Sequence, residues 1–443
     1  MAKIAPFQAW RYAPERVALE KVVTQPYDKI SPKLQEAYYE ASPYNLVRII
    51  LGRRLAGDTE SENVYMRAAA SFRGWRESGV LRQDGEPSIY RYVQSFQVPG
   101  GQAQAERRGF IALGKIEEYA AGVVFRHEQT LAKPKADRLD LLRATRGHFG
   151  QIFMLYGGGG KVDAILDGAA AGKPDIEVRD EYGVAHRVWR VADASTIARV
   201  QEQMSDRKLI IADGHHRYET ALTYRNERRQ AGGTAASMPH DRERHAHAPH
   251  DHVMMTFVDM DCPGLVILPT HRVVSGLTDA VWAEFPAEVR KFFNVETVDP
   301  DVDAVRATEI LCQAGHAGTA LLAVTNKSAW LLHTPKAVGA HVFGNLSLRQ
   351  QGLDVVQLHK CVLENCLRIS EEAIREQTHV RYLREAREAL AEVREGKAQA
   401  AFLMNPVRMG QVRDIAFAGE VLPQKSTDFY PKLLSGLTIY GLD

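Results

Sequence analysis

The residues best suited to chemistry lie together in the stretch from Ala212 to Leu222, which reads ADGHHRYETAL. Its two adjacent histidines titrate near neutral pH, and Asp213 places a carboxylate beside them. Arg217 can donate paired hydrogen bonds to a phosphate or a carboxylate. The pattern indicates a site that holds an anion and moves a proton. The acid–base candidates are Asp213, His215 and His216, and the phosphate-binding candidates are Gly214 and Arg217.

The residues around this stretch predict the elements that would position it. An apolar run at 209–212 has the pattern of a buried strand end, and Asp213-Gly214 breaks it. Apolar residues then recur at helical spacing from His215 onward. The first turn of a helix has unpaired N–H groups and favours anions. In a simpler interpretation Asp213 only caps the helix and the histidines are ordinary surface or core groups.

Several stretches resemble one family from end to end. The chain is identified as a member of the domain-of-unknown-function 1015 family on ADGHHRYETAL and five further segments. These segments are QPYDKIS at 25–31, RHEQT at 126–130, KADRLDLLRAT at 135–145, ILPTHR at 267–272 and LPQKSTDFYPKLLSGL at 422–437.

A second resemblance concerns the Asp-Gly-His-His-Arg corner alone. It is similar to the Gly-X-X-Arg corner of the ParB/sulfiredoxin superfamily, and in particular to the Asp-Gly-His-Thr-Arg corner of free serine kinases. In that superfamily the corner binds nucleotide phosphates. The resemblance implies an α+β (mixed α/β) fold with a ParB/sulfiredoxin-like core, insertions and a second α/β domain. It also implies a nucleotide, ATP or ADP, with Mg²⁺.

The family resemblance adds candidates outside the corner. It makes His127 and Glu128 further catalytic candidates and Lys135 a cofactor-binding candidate. Arg272 follows an apolar run, a usual place for site residues, although a charged loop is an equal alternative. Lys425, Ser426 and Thr427 have phosphate-binding composition, with Lys432 as a second cation. The resemblance predicts that Lys425, Ser426 and Thr427 lie in the same site as Asp213 to Arg217.

Composition limits the class of protein. The chain has 443 residues, 45% hydrophobic and 25% charged, and a formal net charge of +1. The charge gives no reason to expect nucleic-acid binding. The four cysteines do not form a disulfide framework, and no signal peptide or membrane span is evident. We expect a soluble, cytoplasmic protein with domains at 1–275 and 276–443 and an unknown oligomeric state.

Other segments give coarser expectations. Apolar Leu46–Gly52 predicts a strand, and 89–98 with 108–116 predicts a hairpin. A helix is expected over 137–145, another over 355–366 and a long charged one over 381–396. The His-rich tract at 240–252 reads as a surface loop, because its spacing does not match a catalytic zinc site. No dedicated metal site is predicted, although Glu128 or Asp28 could bind a nucleotide's Mg²⁺.

These residues favour a phosphotransferase or phosphohydrolase acting on a small phosphorylated or hydroxyl-bearing molecule. The serine-kinase resemblance implies serine or phosphoserine as the substrate. One alternative is a ParB-like nucleotide-binding switch without turnover, which would not need His215 and His216. A second is a DNA-associated regulator, against which the near-zero charge and the lack of a helix-turn-helix argue.

Overall fold

The computed structural model describes residues 1–128, 133–233 and 248–443. The chain divides into two compact units. Unit 1 comprises Met1–Arg126, Thr130–Val266 and Pro431–Asp443, and unit 2 comprises His127–Gln129 and Ile267–Tyr430. This division differs from the predicted one at residue 275, because the strand His271–Val274 pairs inside unit 2 and the C-terminal segment returns to unit 1.

Unit 1 contains a mostly antiparallel sheet, and its described residues contribute nine strands. The spatial order is Val124–Arg126, Leu209–Asp213, Ile152–Tyr156, His252–Asp259, Gln104–Lys115, Ile89–Gln97, Ala185–Val191 and Ile176–Arg179, with Ile4–Ala5 also on Gln104–Lys115. Small two-stranded sheets pair Trp10–Tyr12 with Leu81–Gln83 and Gly147–His148 with Tyr440–Gly441. The α-helices are Pro32–Ala41, Val47–Ile50, Val64–Glu77, Lys133–Thr145, Lys161–Ala169, Ala194–Met204 and His215–Gly233.

Two apolar clusters hold unit 1 together. In the first, helix residues such as Leu166, Val200 and Tyr218 pack on the large sheet. In the second, the N-terminal helices bury Phe72 and Trp75 together with Ile439 from the C-terminal segment. Burial of such side chains contributes about 1.5–3 kcal/mol each. The C-terminal segment is therefore part of the core of unit 1.

Unit 2 is built on a six-stranded antiparallel sheet. Its order is Asn294–Val298, Ala329–His333, Ala320–Thr325, Ala400–Met404, His271–Val274 and Val380–Leu383. The helices are Asp279–Val289, Ala304–Gly315, Leu348–Gln351, Asp354–Gln357, Glu371–Glu376, Ala386–Arg394 and Met409–Phe417, with a π-helix at Leu358–Cys366. Leu311 and Leu390 from two helices pack on one face of the sheet.

The mixed α/β fold class is confirmed, and so are the hairpin of Ile89–Gln97 with Gln104–Lys115 and the helix through 137–145. The predicted strand at Leu46–Gly52 is wrong. Val47–Ile50 is a short buried helix opened by Asn45, whose side-chain oxygen accepts from the Val47 N–H at 2.9 Å. A short apolar run fits a buried helix as well as a strand.

The predicted long helix at 381–396 is also wrong in its first part. Val380–Leu383 is an edge strand beside His271–Val274, and only Ala386–Arg394 is helical. The pairing partner lies more than 100 residues earlier, so the tertiary contact overrides the local helical pattern. No helix in the described parts of the chain has both the length and the apolar character needed to cross a bilayer. All four cysteines are free.

Candidate functional site

The Asp-Gly-His-His-Arg stretch forms the predicted strand, turn and helix. The strand Leu209–Asp213 runs antiparallel to Ile152–Tyr156, with a register shift between Ile211 and Asp213. Such a bulge re-aims the side chains that follow it. Gly214 has a φ of +93°, and its carbonyl accepts the Tyr218 N–H at 2.9 Å in the first helical turn. Asp213 therefore lies at the N-terminal end of the helix His215–Gly233.

Asp213 is surrounded by cations within unit 1. Its Oδ2 lies 2.8 Å from Lys432 Nζ, and its Oδ1 lies 3.6 Å from Arg217 Nη2. All three side chains are largely buried, at 21% exposure for Asp213, 11% for Lys432 and 16% for Arg217. Burial opposes ionisation, but Lys432, Arg217 and Lys29 hold the pKa of the Asp213 carboxyl well below its usual range. The carboxylate is ionised at every physiological pH.

Gly214 also makes room for Arg217. A Cβ atom at Gly214 would lie 3.1 Å from the Arg217 guanidinium carbon and two of its nitrogens. The guanidinium donates to the Gln151 carbonyl, and Nη1 would be 3.2 Å from a Cβ at Gly150. Two glycines thus allow the backbone to approach the arginine from two sides. The Arg217 side chain is therefore held against the N-terminal end of the helix to which it belongs.

Replacing Gly214 with alanine is expected to lower the free energy of unfolding by about 1–3 kcal/mol. The positive φ strains an alanine, and the added methyl group pushes the Arg217 guanidinium aside. Urea unfolding measures the loss. The matched control is Gly168→Ala, since Gly168 lies in the helix Lys161–Ala169 with open space around it. That change should be neutral or stabilising by up to about 1 kcal/mol, and equal losses in both variants would contradict the assignment.

A pocket of unit 1 opens beside the arginine. It has about 600 Å³ of empty space, counting the part open to solvent, and Arg217, Tyr27 and Arg138 all line it. The remaining lining is mainly apolar, with Pro26, Ile50, Leu141, Leu142, Phe149 and Val253. The Arg138 guanidinium carbon lies 4.2 Å from the centre of the Tyr27 ring. Guanidinium groups thus meet an apolar wall, an arrangement suited to an organic anion.

A buried polar network positions Lys432. Gln94 Nε2 donates to the Lys432 carbonyl at 2.9 Å, and Arg107 Nε donates to Gln94 Oε1 at 3.0 Å. Arg107 also donates to the carbonyl of Pro431. Arg107 is 1% exposed, and burial lowers the pKa of its guanidinium to about 10. Hydrogen bonds between the backbones of Thr24 and Ser435 tie down the residues that follow.

Six other predicted candidates form a second group in unit 2, namely His127, Glu128, Arg272, Lys425, Ser426 and Thr427. His127 Nε2 lies 2.8 Å from Thr427 Oγ1, and Glu128 accepts the Lys425 N–H at 2.6 Å. Arg272 is fully buried in the strand His271–Val274, and its Nη2 donates to the Lys425 carbonyl at 3.2 Å. The N–H and the carbonyl of Lys425, whose φ is +57°, are therefore both hydrogen-bonded. Residues from three motifs thus meet here, with His127 and Glu128 from RHEQT, Arg272 from ILPTHR and the LPQKST loop, in which Ser426 is buried.

The structure thus assigns the candidates to two groups, and a single site shared by Lys425 and Asp213 stays a prediction. His215 and His216 begin the helix in unit 1 and are half-buried. Lys135 is also in unit 1, where its ammonium pairs with Glu219. His240, His245 and His247 of the His-rich tract lie outside the described residues. Within the described ranges no three His, Cys, Asp or Glu side chains are grouped to hold a metal.

The family whose sequence pattern fits the chain is described as protein of unknown function (DUF1015), and it matches residues 4–356. The match covers most of the 443 residues. The chain belongs to the DUF1015 family. This confirms the membership inferred from the six motifs. No curated protein matches the chain by sequence.

Solved structures give only weak likenesses. A conserved hypothetical protein from Pyrococcus furiosus is 12% identical, with 69% of this chain and 86% of that chain covered and a TM-score of 0.33. A free serine kinase in complex with AMP is 12% identical, with 69% and 83% covered and a TM-score of 0.33. SbnI with a C-terminal truncation, from Staphylococcus aureus, is 9% identical, with 73% and 85% covered and a TM-score of 0.33. Likenesses of this degree do not establish a ligand for members of the DUF1015 family.

Sequence reasoning missed several residues around Asp213. Lys29 and Tyr27 belong to QPYDKIS, and Arg138 belongs to KADRLDLLRAT, for which only a helix over 137–145 was predicted. Tyr27 and Arg138 both lie in segments that carry the family resemblance, and this was the signal available for them. Gln94 and Arg107 lie opposite each other in the two strands of the hairpin, and the alternating sequence pattern gave no signal of their role. The segments that carry the family resemblance therefore contribute residues to unit 1 beyond the Asp-Gly-His-His-Arg corner.

Proposed function

We propose that this protein binds a phosphate group of a small molecule at the Asp213–Arg217 corner of unit 1 and transfers or hydrolyses it. The observation that carries the proposal is the charge around Asp213. Three cations, Lys432, Arg217 and Lys29, act on a single largely buried carboxylate. The surplus positive charge at a helix N-terminal end favours a multiply charged anion.

The proposed roles follow from charge and position. Arg217 and Lys432 stabilise the negative charge of a transferring phosphoryl group, which is the main requirement of such catalysis. The unpaired N–H groups in the first turn of the helix add a partial positive charge that faces the ligand. His215 or His216 acts as the general base or acid towards a hydroxyl or water. Asp213, ionised throughout, holds the two cations in place.

We propose a nucleotide, ATP or ADP, as the phosphate donor or ligand. The apolar wall of the pocket beside Arg217 suits the organic part of such a molecule. Mg²⁺ would arrive with the phosphates, since it needs only one or two protein carboxylates. Asp28, next to Tyr27 in unit 1, is one such carboxylate. Serine or phosphoserine as the substrate rests on the resemblance of the corner to that of free serine kinases.

A nucleotide-binding protein without turnover is the second candidate. It is favoured by one observation: the two oxygens of Asp213 lie against Lys432 and Arg217, which suits binding rather than activation of a histidine. The two functions differ in their need for the histidines. Turnover would be lost in a His215→Gln/His216→Gln variant, whereas a binding protein would be unaffected.

The deciding experiment is a thermal-shift screen of metal-free full-length protein. The ligands are ATP, ADP, pyrophosphate, serine and phosphoserine, each with and without magnesium. A ligand that binds the folded state raises the unfolding midpoint by mass action. We expect a phosphate compound to do so, and we expect Arg217→Ala to abolish the shift by removing a charge-assisted contact of about 1.5–3 kcal/mol.

The matched control is Arg228→Ala. Arg228 is exposed on the same helix, so the variant loses the same charge without touching the corner. It should keep the full shift. If no phosphate compound raises the midpoint, or if Arg217→Ala and Arg228→Ala weaken binding equally, the proposal is wrong. A shift with a nucleotide then justifies a turnover assay with the histidine variant.

A further inference from the structure

Unit 2 has a cavity of its own. It has about 850 Å³ of empty space, counting the part open to solvent. The π-helix Leu358–Cys366 supplies three of its polar lining residues, His359, Lys360 and Glu364. π-helical turns are rare and are frequently found at functional sites. The opposite lining includes Tyr382 and the apolar Leu422.

His359 lines this cavity and carries a buried ring nitrogen without a hydrogen-bond partner among the described residues. The side chain is 8% exposed, and this nitrogen is Nε2. Burial, together with the charges of Arg272 and Lys360, lowers the pKa of the imidazole far below its usual value, so the ring is neutral. Buried polar atoms are almost always paired. A bound molecule is one way to supply the partner.

The charges along the cavity are balanced. Lys360 Nζ lies 2.9 Å from Glu364 and 3.0 Å from Glu371, and Arg375 adds a second cation. Two cations and two carboxylates therefore line one cavity. Unlike the corner of unit 1, this lining has no surplus charge to attract a phosphate. The carboxylates of the lining can pair with the positive end of a zwitterion, and the cations can pair with its negative end.

We propose that the cavity of unit 2 binds a free α-amino acid. Glu364 receives the ammonium group and Lys360 receives the carboxylate, so that the ligand replaces part of their mutual pairing. His359 Nε2 hydrogen-bonds to a polar atom of the ligand. Burial raises the pKa of the Glu364 carboxyl despite Lys360, and an arriving ammonium compensates that charge. The apolar lining contacts the side chain.

This site does not depend on the function proposed for unit 1. Its lining residues all belong to unit 2, whereas Asp213, Arg217 and Lys432 belong to unit 1. The two proposals are separated by variants. Arg217→Ala must leave amino-acid binding unchanged, and changes at His359 must leave phosphate binding unchanged.

The test is a thermal-shift and calorimetric screen of the full chain against the free amino acids. Each amino acid that binds is compared with its methyl ester and its N-acetyl form, which each remove one charge. We expect at least one free amino acid to raise the midpoint and both modified forms to fail. His359→Phe, which fills the imidazole position with an apolar ring, should weaken binding at least about 10-fold, as should Glu364→Gln.

Lys397→Met is the matched control for Lys360→Met, because Lys397 pairs with Glu395 on the exposed surface of unit 2. Only Lys360→Met should weaken binding. The Glu364 and Lys360 variants keep the test valid if His359→Phe does not fold. The proposal is overturned if no amino acid binds, if the methyl ester and N-acetyl forms bind as well as the free form, or if binding survives at Glu364→Gln and Lys360→Met. A shift produced instead by an uncharged nucleoside also overturns it.

Discussion

Replacing Lys432 with methionine is expected to lower the free energy of unfolding at pH 7 by about 3 kcal/mol and to abolish the thermal shift with phosphate compounds. The Lys432 ammonium lies 2.8 Å from Asp213 Oδ2, and the two side chains are 11% and 21% exposed. Removing one partner of a buried ion pair typically costs about 3–5 kcal/mol, because the other charge is left uncompensated. Partial exposure and the nearby Arg217 place the loss at the lower end.

The same variant has a characteristic pH dependence. The folded-state pKa of Asp213 is depressed, so its contribution to stability is fully present above the unfolded pKa of about 3.9 and is lost as the pH falls through the acid range. Without Lys432 the folded pKa rises, since burial remains and its main opposing charge is gone. The stability difference between the wild type and Lys432→Met should therefore shrink as the pH falls through the folded-state pKa of Asp213 in the variant.

Urea unfolding at several pH values measures this difference. Lys173→Met is the control, because Lys173 is exposed in a loop of unit 1 and its replacement removes the same charge. We expect its stability and its response to phosphate compounds to match the wild type. A Lys432→Met protein whose stability deficit stays constant while the pH is lowered through the range in which its own Asp213 is protonated would show that the deficit does not come from Asp213.

The corner itself was predictable because every element of it is local. An apolar run, a glycine and helical spacing lie within 20 consecutive residues, and short-range patterns report such elements well. Gly214 was predicted to be a phosphate-binding residue. In the structure the group that approaches Gly214 is the chain's own Arg217. The local sequence pattern thus predicted the backbone elements correctly. It did not predict that the Arg217 side chain would occupy the space next to Gly214.

The partner of Asp213 was not predictable from the sequence. Lys432 lies 219 residues away and appears in a loop-like segment with other cations. Its position depends on pairings of the C-terminal segment with Thr24 and Trp10, which are contacts of very long sequence separation. Only the family resemblance pointed to LPQKSTDFYPKLLSGL. The structure divides that motif, with Lys425 in unit 2 and Lys432 in unit 1.

Replacing Arg107 with methionine is expected to lower the free energy of unfolding by about 3–5 kcal/mol and also to weaken the binding of phosphate compounds. The guanidinium donates to Gln94 Oε1 and to the Pro431 carbonyl, and its carbon lies 4.6 Å from the centre of the Phe153 ring. Methionine preserves the bulk but leaves both buried acceptors unsatisfied, at about 1–3 kcal/mol each. Loss of the cation–π contact adds to this.

The effect of the Arg107 variant on ligand binding distinguishes a role in positioning Lys432 from a loss of stability alone. Arg107 and Gln94 hold the carbonyl groups of Pro431 and Lys432, so their loss frees the backbone that directs the Lys432 ammonium to Asp213. We therefore expect phosphate compounds to bind the variant more weakly than the wild type when affinity is measured by calorimetry at a temperature where the variant is fully folded, and the thermal shift to fall accordingly. Arg107 is a positioning residue here, since its effect passes through Lys432.

The control is Arg91→Met in the neighbouring strand. Arg91 is also 1% exposed, but its guanidinium pairs with Asp163 at 2.5 Å and Asp167 at 2.6 Å. Its replacement removes a buried arginine of the same size and leaves Asp163 without its ion-pair partner, whereas Asp167 keeps Arg108, so it should also destabilise unit 1. It should leave the phosphate-dependent shift intact, because neither carboxylate belongs to the Asp213 corner. If both arginine variants reduce the shift equally, the network does not position Lys432, and the loss of binding reflects only the lower stability of the sheet.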